Sequence, residues 1–356
     1  MLVTGGAGFV GSHVVRHLLR ERPWLSVIVL DALTYAGDLA RLADVTAAHG
    51  SSADARLRFV HGDVRDAELV GRLVGGTAEI DGMRLPRPDA LLHLAAETHV
   101  DRSIIAAAPF VAANVEGTVT LLEALRRELV TAPRPFRFVH AGTDEVYGAL
   151  GPHDAPWDES AALRPSSPYA ASKAAADQFV HAYAHTHGVP AVIMRSSNSY
   201  GPWQYPEKLI PLMVVRALRS EPLPLFGDGK QVRDWIHVHD AAAAFVAVLE
   251  YGRVGATYNV GAADERVNLE VVRRILHLVG RPESLLTFAS DRAGHDRRYG
   301  LDAGRARREL GWEPHVDFER GLEETVAWYA GHSEWWERLL PEAYRPTREL
   351  YLRTQD

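Results

Sequence analysis

The chain places two consecutive carboxylates behind a hydroxyl, Thr143-Asp144-Glu145, inside the stretch His140-Ala141-Gly142-Thr143-Asp144-Glu145-Val146-Tyr147-Gly148. The apolar run at 136–139 reads as a buried strand. The three residues are therefore expected at or just past the C-terminal end of a strand, where ligands bind in open α/β sheets. Two carboxylates crowded into a cleft repel each other and lose hydration. That raises at least one pKa and leaves one group able to act as acid and one as base. The alternative is a solvated turn or helix N-terminus, where Asp and Glu are common.

A second constellation opens the chain. Met1-Leu2-Val3 runs directly into Thr4-Gly5-Gly6-Ala7-Gly8-Phe9-Val10-Gly11, in which Gly6, Gly8 and Gly11 fit G-x-G-x-x-G and Gly5, Gly8 and Gly11 fit G-x-x-G-x-x-G. Val14, Val15, Leu18 and Leu19 then follow at helical spacing, and 26–30 reads as a second strand ending in Asp31. The glycines allow a tight turn and close approach of a pyrophosphate to the helix N-terminus. Asp31 stands about 20 residues beyond the last glycine, placed to accept hydrogen bonds from adenosine ribose hydroxyls. A carboxylate there repels a 2′-phosphate and no Arg follows at once, so NAD is expected rather than NADP.

Residues 57–64 read as a third strand with Asp63 at its end; Asp63 either bonds an adenine amino group or caps the next helix. Residues 90–96 form a fourth strand whose small terminal residues let a cofactor lie close, and a polar loop follows at 97–103. Residues 110–128 have helical periodicity around an unusual Asn114, which either hydrogen-bonds a loop near the site or is solvated.

The third constellation is Pro168-Tyr169-Ala170-Ala171-Ser172-Lys173. Pro168 suits a first helical turn. Tyr169 and Lys173, at i and i+4, project from one helix face. A phenol with a pKa of about 10 is a poor base at neutral pH. A nearby ammonium, helped by a positive nicotinamide ring, lowers that pKa, and Lys173 also suits the nicotinamide ribose. Tyr-x-x-x-Lys also arises by chance in ordinary amphipathic helices.

The bulk numbers bound these readings. A length of 356 residues predicts roughly two domains. At 47% hydrophobic and 24% charged the composition is globular, and no apolar run is long enough to span a bilayer. No basic-then-apolar N-terminal segment marks a signal peptide. The absence of cysteine rules out disulfides and thiolate chemistry and fits a reducing, cytoplasmic setting. A net charge of -7 argues against a nucleic-acid surface, while leaving room for an anionic small molecule in a local basic pocket. Of 39 basic residues only Lys173, Lys208 and Lys230 are lysine, against a background that favours Arg. No metal site is expected.

The glycine motif, Thr143-Asp144-Glu145-Val146-Tyr147-Gly148 and Tyr169-x-x-x-Lys173, in that order, resemble the extended short-chain dehydrogenase/reductases. More narrowly, with Leu33-Thr34-Tyr35-Ala36-Gly37, the loop from Leu94 to Ser103, Pro206-Glu207-Lys208-Leu209-Ile210-Pro211, Arg233-Asp234-Trp235 and the segment from Asp291 to Tyr299, the chain resembles the dTDP-glucose 4,6-dehydratases over roughly residues 1–330. The Asp-Glu pair is the most specific part of that match, since related sugar-nucleotide epimerases lack it.

The resemblance implies a doubly wound, parallel Rossmann-type α/β sheet with a smaller C-terminal α/β domain. Residues 1–200 would hold NAD, with part of 230–265 returning to that domain. Residues 201–330 would mainly hold the sugar nucleotide, and 331–356 would form a tail. It implies that Tyr169 takes the C4 hydroxyl proton of dTDP-glucose as NAD takes the hydride, with Thr143 bonded to that oxygen. Glu145 then removes the C5 proton, Asp144 protonates the leaving C6 hydroxyl, and the hydride returns to C6.

Cofactor contacts are implied at Gly5, Gly8, Phe9, Val10 and Gly11, at Asp31, Leu33 and Thr34, at Asp63 and Val64, at Leu94, Ala95 and Ala96, and at Ser199 beside Tyr169 and Lys173. Substrate contacts are implied at Thr98, Asn198, Glu207, Lys208 and Leu209, with Pro224 and Phe226 near the base, Arg233 bridging diphosphate oxygens, and Asn268, Arg292 and His295 on the nucleotide. The family also implies a homodimer through a four-helix bundle built from the helices near 110–128 and 169–187. Trp335, Trp336, Leu339, Leu340, Tyr344 and Tyr351 in the tail either bind a partner or pack on the parent domain. Gly142, Ser199, Thr98 and Phe226 depart from the residues common in the family, at Ser, Asn, Ser and Tyr. The same mechanism on another NDP-hexose, a simple epimerase and a non-catalytic NAD-binding regulator are the competing readings. The Asp-Glu pair opposes the epimerase, and the full set of reactive residues opposes the regulator.

Overall fold

Apolar runs rich in Val, Leu and Ile alternate with amphipathic helices through the first 200 residues, a pattern that calls for strands buried on both faces. The computed structural model describes residues 1–50, 55–80 and 82–344. Its strands are, in chain order, β1 (Leu2–Thr4), β2 (Val27–Asp31), β3 (Leu57–His61), a small hairpin of β4 (Glu79–Ile80) and β5 (Met83–Arg84), β6 (Ala90–His93), β7 (Arg137–Thr143), β8 (Ala191–Ser196), β9 (Asn198–Tyr200), β10 (Leu223–Phe226), β11 (Val232–His237), β12 (Thr257–Val260), β13 (Glu265–Val267) and β14 (Leu286–Ala289).

Seven of them form one parallel sheet in the order β12-β8-β7-β6-β1-β2-β3. The chain leaves β1 toward β2 and β3, then crosses back to β6 on the other side of β1. That reversal opens a crevice at the C-terminal ends of β1 and β6, where the fold class binds its ligands. Both faces are filled. One apolar layer includes Val14, Leu18, Val29 and Phe245, and the other includes Ile28, Leu91, Leu121 and Phe138.

Three boundaries differ from the sequence expectation. β3 stops at His61 and β6 at His93, so Asp63 and Leu94–Ala96 lie past their strands. β7 instead runs on to Thr143, because Ala141, Gly142 and Thr143 keep pairing with β8. Asp144 and Glu145 thus open a one-turn 3-10 helix, Asp144–Tyr147, directly off a central strand. The helix expected over 110–128 is three pieces: Ala108–Phe110, a π-helical turn Val111–Glu116, and Gly117–Thr131. π-turns often mark functional positions, and this one holds Asn114. The helix Pro168–His187 forms as expected, with Ser167 Oγ accepting from the Ala170 N–H as its cap.

Beyond β8 the chain builds a second core. β9, β11 and β13 form a small sheet, β10 pairs with β14, and Ile210, Val214, Val271, Ile275, Phe318 and Leu322 pack together. Trp335, Trp336, Leu340 and Tyr344 are buried in this core and Leu339 packs against it, so the tail packs on the body as far as it is described. Tyr351 lies outside the described residues. β12 joins the large sheet, and the helix Val238–Tyr251 lies against the helix Phe9–Glu21. Ala303, Ala306, Leu310 and Trp312 also pack into the first core, so residues between 201 and 330 contribute to both.

Candidate active site

The glycine turn sits between β1 and its helix with no room for side chains where it matters. Gly5 adopts φ +70°, and a Cβ on it would lie 2.6 Å from Ala95 N; a Cβ on Gly11 would lie 2.1 Å from Gly5 O. Only glycine lets the turn close this tightly. Asp31, at the end of β2, is buried. Its Oδ2 accepts from the Ala7 N–H (2.9 Å) and its Oδ1 from the Leu33 N–H (2.8 Å). Burial raises its pKa, opposed by those two N–H groups. Each oxygen keeps lone-pair capacity for a ribose hydroxyl. The turn, the helix N-terminus and the carboxylate all fit a dinucleotide, and they line one cleft of about 340 Å³ together with Thr34, Asp63, Val64, Leu94, Ala95 and Ala96.

Leu33 is not on that wall. Its N–H fixes Asp31, its φ is +49°, and its side chain packs against the core. Asp63 lines the cleft but does not cap the next helix. Asp66 does, accepting from Glu68 N and Leu69 N, while Asp63 chelates Arg65.

Thr143, Asp144, Glu145, Tyr169, Lys173, Asn198 and Ser199 reach the same cleft from two strands, the 3-10 turn and one long helix. Thr143 Oγ1 donates to Asp144 Oδ1 (3.2 Å), while Asp144 Oδ2 is buried with no hydrogen-bond partner among the described residues. Burial pushes the Asp144 pKa well above the ordinary carboxylate value, and Glu145 and Asp234 push it further. Glu145 is half-buried; its pKa is also raised by burial, against the pull of Arg292, Lys208 and Arg233. The repulsion inferred from sequence is present, and it falls harder on Asp144.

The tyrosine differs from expectation. Burial raises the Tyr169 phenol and the Glu145 charge raises it further, with the Thr143 hydroxyl opposing. Lys173 does not outweigh those effects because it is itself buried: desolvation brings its ammonium down to about 8, with Asp177 holding it up. Asn114 settles its two alternatives. Its Oδ1 accepts from Glu97 N (2.8 Å), and its Nδ2 donates to Glu97 O (2.9 Å) and to Ser172 Oγ (2.8 Å). Buried in the π-turn, it ties Glu97 to the helix that bears Tyr169; the loop expected over 97–103 is only 97–99, since Val100–Ile105 form a helix capped by His99.

Thr98, Glu207 and Lys208 also line the cleft. Lys208 Nζ donates to Thr98 O (2.7 Å). Glu207 is buried and occupied: it accepts from the Tyr35 hydroxyl (2.8 Å) and from Arg102 Nε (3.0 Å). The remaining candidates lie beyond the cleft wall. Leu209 starts the helix Leu209–Leu218, and Pro224 and Phe226 are in β10. Arg233 is no surface residue. It is buried over the Tyr299 ring at 4.3 Å, with its guanidinium donating to Val232 O (2.8 Å) and Asp296 O (2.9 Å). Arg292 donates to Asp101 (3.2 Å), and His295 Nδ1 is 2.5 Å from Asp291. Asn268 is buried at a helix start with its Oδ1 unpartnered among the described residues.

One residue on the cleft wall escaped the sequence reading. Arg41 is fully buried, with Nε donating to Trp203 O (2.9 Å) and Nη1 to Ala7 O (3.1 Å) and Ala36 O (2.6 Å). It pins the segment after β2 to the glycine turn. Outside the cleft, His237, His239 and Glu324 have ligand atoms within 4.8 Å of one another.

The parallel sheet, the glycine turn with its acid, and a Tyr-x-x-x-Lys helix facing them define an NAD-dependent enzyme of the extended short-chain dehydrogenase/reductase type. Residues 2–325 match the family model described as GDP-mannose 4,6 dehydratase. The dTDP-glucose 4,6-dehydratase of Neisseria meningitidis serogroup B is 46% identical, with 98% of each chain covered. That of Actinoplanes is 45% identical over 94% of this chain and 99% of its own. The crystal structure of the Streptomyces venezuelae dTDP-glucose 4,6-dehydratase DesIV, with NAD and TYD bound, is 47% identical and has a TM-score of 0.86, covering 95% of this chain and 99% of that one. An NAD complex of the Bacillus anthracis dTDP-glucose 4,6-dehydratase is 40% identical with a TM-score of 0.83, covering 95% and 98%. The chain belongs to the dTDP-glucose 4,6-dehydratase family.

Proposed function

We propose that the protein converts dTDP-glucose to dTDP-4-keto-6-deoxyglucose and water, and that Thr143, Asp144, Glu145, Tyr169 and Lys173 divide the work. NAD, when bound, would supply the acceptor for the C4 hydride and return it to C6, after which C5 takes a proton back through Glu145, so no net oxidation results. Tyr169, whose phenol burial and Glu145 raise, takes the C4 hydroxyl proton as the phenolate that Lys173 and the positive ring of bound NAD would favour, and Thr143 donates a hydrogen bond to that oxygen. Lys173 holds positive charge near the nicotinamide ribose. A carbonyl at C4 acidifies the C5 proton, and Glu145, the better exposed carboxylate and the one facing three cations, removes it. Asp144, which burial keeps protonated, donates through Oδ2 to the C6 hydroxyl, which leaves as water.

The observation that carries this reading is the unequal pair. Two adjacent carboxyls stand at the end of a central strand, one buried with an open oxygen and one half-exposed among cations. Incubation with dTDP-glucose, UDP-glucose and other NDP-hexoses tests it. A 4-keto-6-deoxy product from dTDP-glucose is expected, turnover of another NDP-hexose alone would move the specificity, and no product from any would reject the reaction.

The first core would hold NAD through the glycine turn, Asp31, Asp63 and the 94–96 segment, and the second core the nucleotide. Lys208, Arg233 and Arg292 supply the positive charge a diphosphate needs, and Pro224 and Phe226 flank the base. Val111 and Phe179 are 54% and 40% exposed on the two helical segments of the inferred four-helix bundle. A homodimer through this face, as the family resemblance suggests, would cover both side chains. Among the described residues no helix is long and apolar enough to cross a membrane, and we place the enzyme in the cytoplasm.

A further inference from the structure

The helix Pro168–His187 carries a third polar residue on the face that bears Tyr169 and Lys173. Asp177 follows Lys173 by four positions and Tyr169 by eight, and its side chain is wholly buried. It does not line the cleft. Its Oδ2 accepts from Arg195 Nε on β8 (2.8 Å), and its Oδ1 faces His140 Nε2 on β7 at 3.4 Å. Arg195 continues through Nη1 to the Tyr147 hydroxyl (2.8 Å), which donates to Asn259 Oδ1 (2.8 Å). Gly142 leaves the other side of Asp177 open: a Cβ there would stand 3.3 Å from Oδ1. Oδ1 makes no hydrogen bond within ordinary limits among the described residues, so that side of the carboxylate remains available to a cation.

We propose that Asp177 is a positioning residue of the reaction, the buried counter-ion that keeps Lys173 an ammonium beneath the Tyr169 side of the cleft. Lys173 has Tyr169 and Asp177 one turn to either side on its own helix and acts electrostatically on His93 of β6 and His140 of β7; Arg195 of β8 lies across Asp177, and Asp144 and Glu145 act on Tyr169. Both histidines are held neutral, His140 at about 4 and His93 well below its usual value, each first by burial. Asp177 is thus bonded to Arg195 and stands one helical turn from Lys173, so its charge acts on both cations. Arg does not give up its proton in proteins and Lys does so readily when buried. If Asp177 lost its charge, the imbalance would fall on Lys173, whose pKa burial already lowers to about 8 and which Asp177 alone holds up. A neutral Lys173 could neither hold a ribose through an ammonium nor oppose the burial that raises Tyr169. The consequence for catalysis rests on the role given to Lys173 above; the charge state of Lys173 does not.

The chain has three lysines, so enzyme isotope-labelled at lysine Cε gives three NMR resonances, and Lys173→Arg assigns the one of interest. In the wild-type protein Lys173 is expected to titrate near 8. In Asp177→Asn it should fall by about one pH unit or more, and Asp177→Glu should restore part of that shift. In Arg195→Met, where a competing cation is gone, it should move the opposite way. The alkaline limb of kcat should move with the lysine while KM for the nucleotide sugar stays within about twofold.

An unmoved Lys173 in folded Asp177→Asn would overturn the proposal, as would, should that variant fail to fold, an unmoved or downward-moving Lys173 in Arg195→Met. Lysine shifts as described with an unaltered kcat profile would instead indict the catalytic role of Lys173.

Discussion

The catalytic corner and the nucleotide corner of this molecule are built on opposite principles. Asp144, Tyr169 and Lys173 come from the end of a central strand and one long helix, are buried, and point unspent valences at the cleft: Asp144 Oδ2 has no partner among the described residues. Arg233, Arg292, His295 and Glu207 come from the middle strand of the small sheet and from loops, and they are already engaged by Val232, Asp296, Asp101, Asp291, Tyr35 and Arg102. The first corner stores unfavourable electrostatics on a rigid frame, as transition-state stabilisation requires. The second exchanges protein partners for ligand partners, so it should govern affinity more than rate.

Glu145→Gln breaks the comparison most severely. It should lower turnover by ~100- to 10,000-fold, while reduced nicotinamide still accumulates on mixing with substrate, because C4 oxidation does not need this base. Normal turnover would remove Glu145 from the role of C5 base. The pH profile sharpens the same point. Glu145 must be ionised and its pKa is raised, so the acid limb should lie above the ordinary glutamate value of 4.5. Asp144 must be protonated and Lys173 charged, so activity should fall again on the alkaline side as they lose their protons, Lys173 near 8.

Arg233→Ala should act on the other corner. Loss of charge-assisted hydrogen bonds worth about 1.5–3 kcal/mol should raise KM ~10- to 100-fold with little change in kcat. A fall in kcat at constant KM would erase the division between corners.

The smallest effect is the stability change of Asp144→Asn, and its sign differs from the others. A carboxyl whose folded pKa is raised favours the fold below the unfolded value of 3.8 and loses that contribution as pH rises toward the folded value. Asparagine does not titrate, so the variant should be inactive yet more stable at neutral pH by ~0.5–2 kcal/mol, with the gain shrinking toward acid pH. Thermal denaturation at two pH values measures it, and a destabilised variant at neutral pH would show that the Asp144 carboxyl stores no strain.

Residues whose work depends on near neighbours in the chain were legible in the sequence. Gly5 and Gly11 act within one turn, Asp31 ends the strand that follows, and Tyr169 and Lys173 share one helical face, so spacing alone placed them. Even Asn114 stood out as a polar residue amid a helical apolar pattern. Arg41 did not, because what buries it is three carbonyls from segments far apart in sequence, at Ala7, Ala36 and Trp203. The cluster of His140, Asp177 and Arg195 was hidden for the same reason: one helix and two strands bring it together, and no local period marks it. Glu207 was legible as a position but not as a side chain already held by Tyr35 and Arg102. The phenol of Tyr169 shows the limit of charge counting by sequence, since the burial that places Lys173 beside the site also weakens it as a source of positive charge.

The most direct test of the paired carboxylates is mass spectrometry of the product formed from dTDP-glucose in deuterated water. Abstraction at C5 by a group that exchanges with solvent, and departure of the C6 hydroxyl as water, predict a product lighter by one water and carrying one solvent deuterium at C5. A dehydrated product with no deuterium at C5, or a 4-keto sugar that keeps its C6 hydroxyl, would contradict the account.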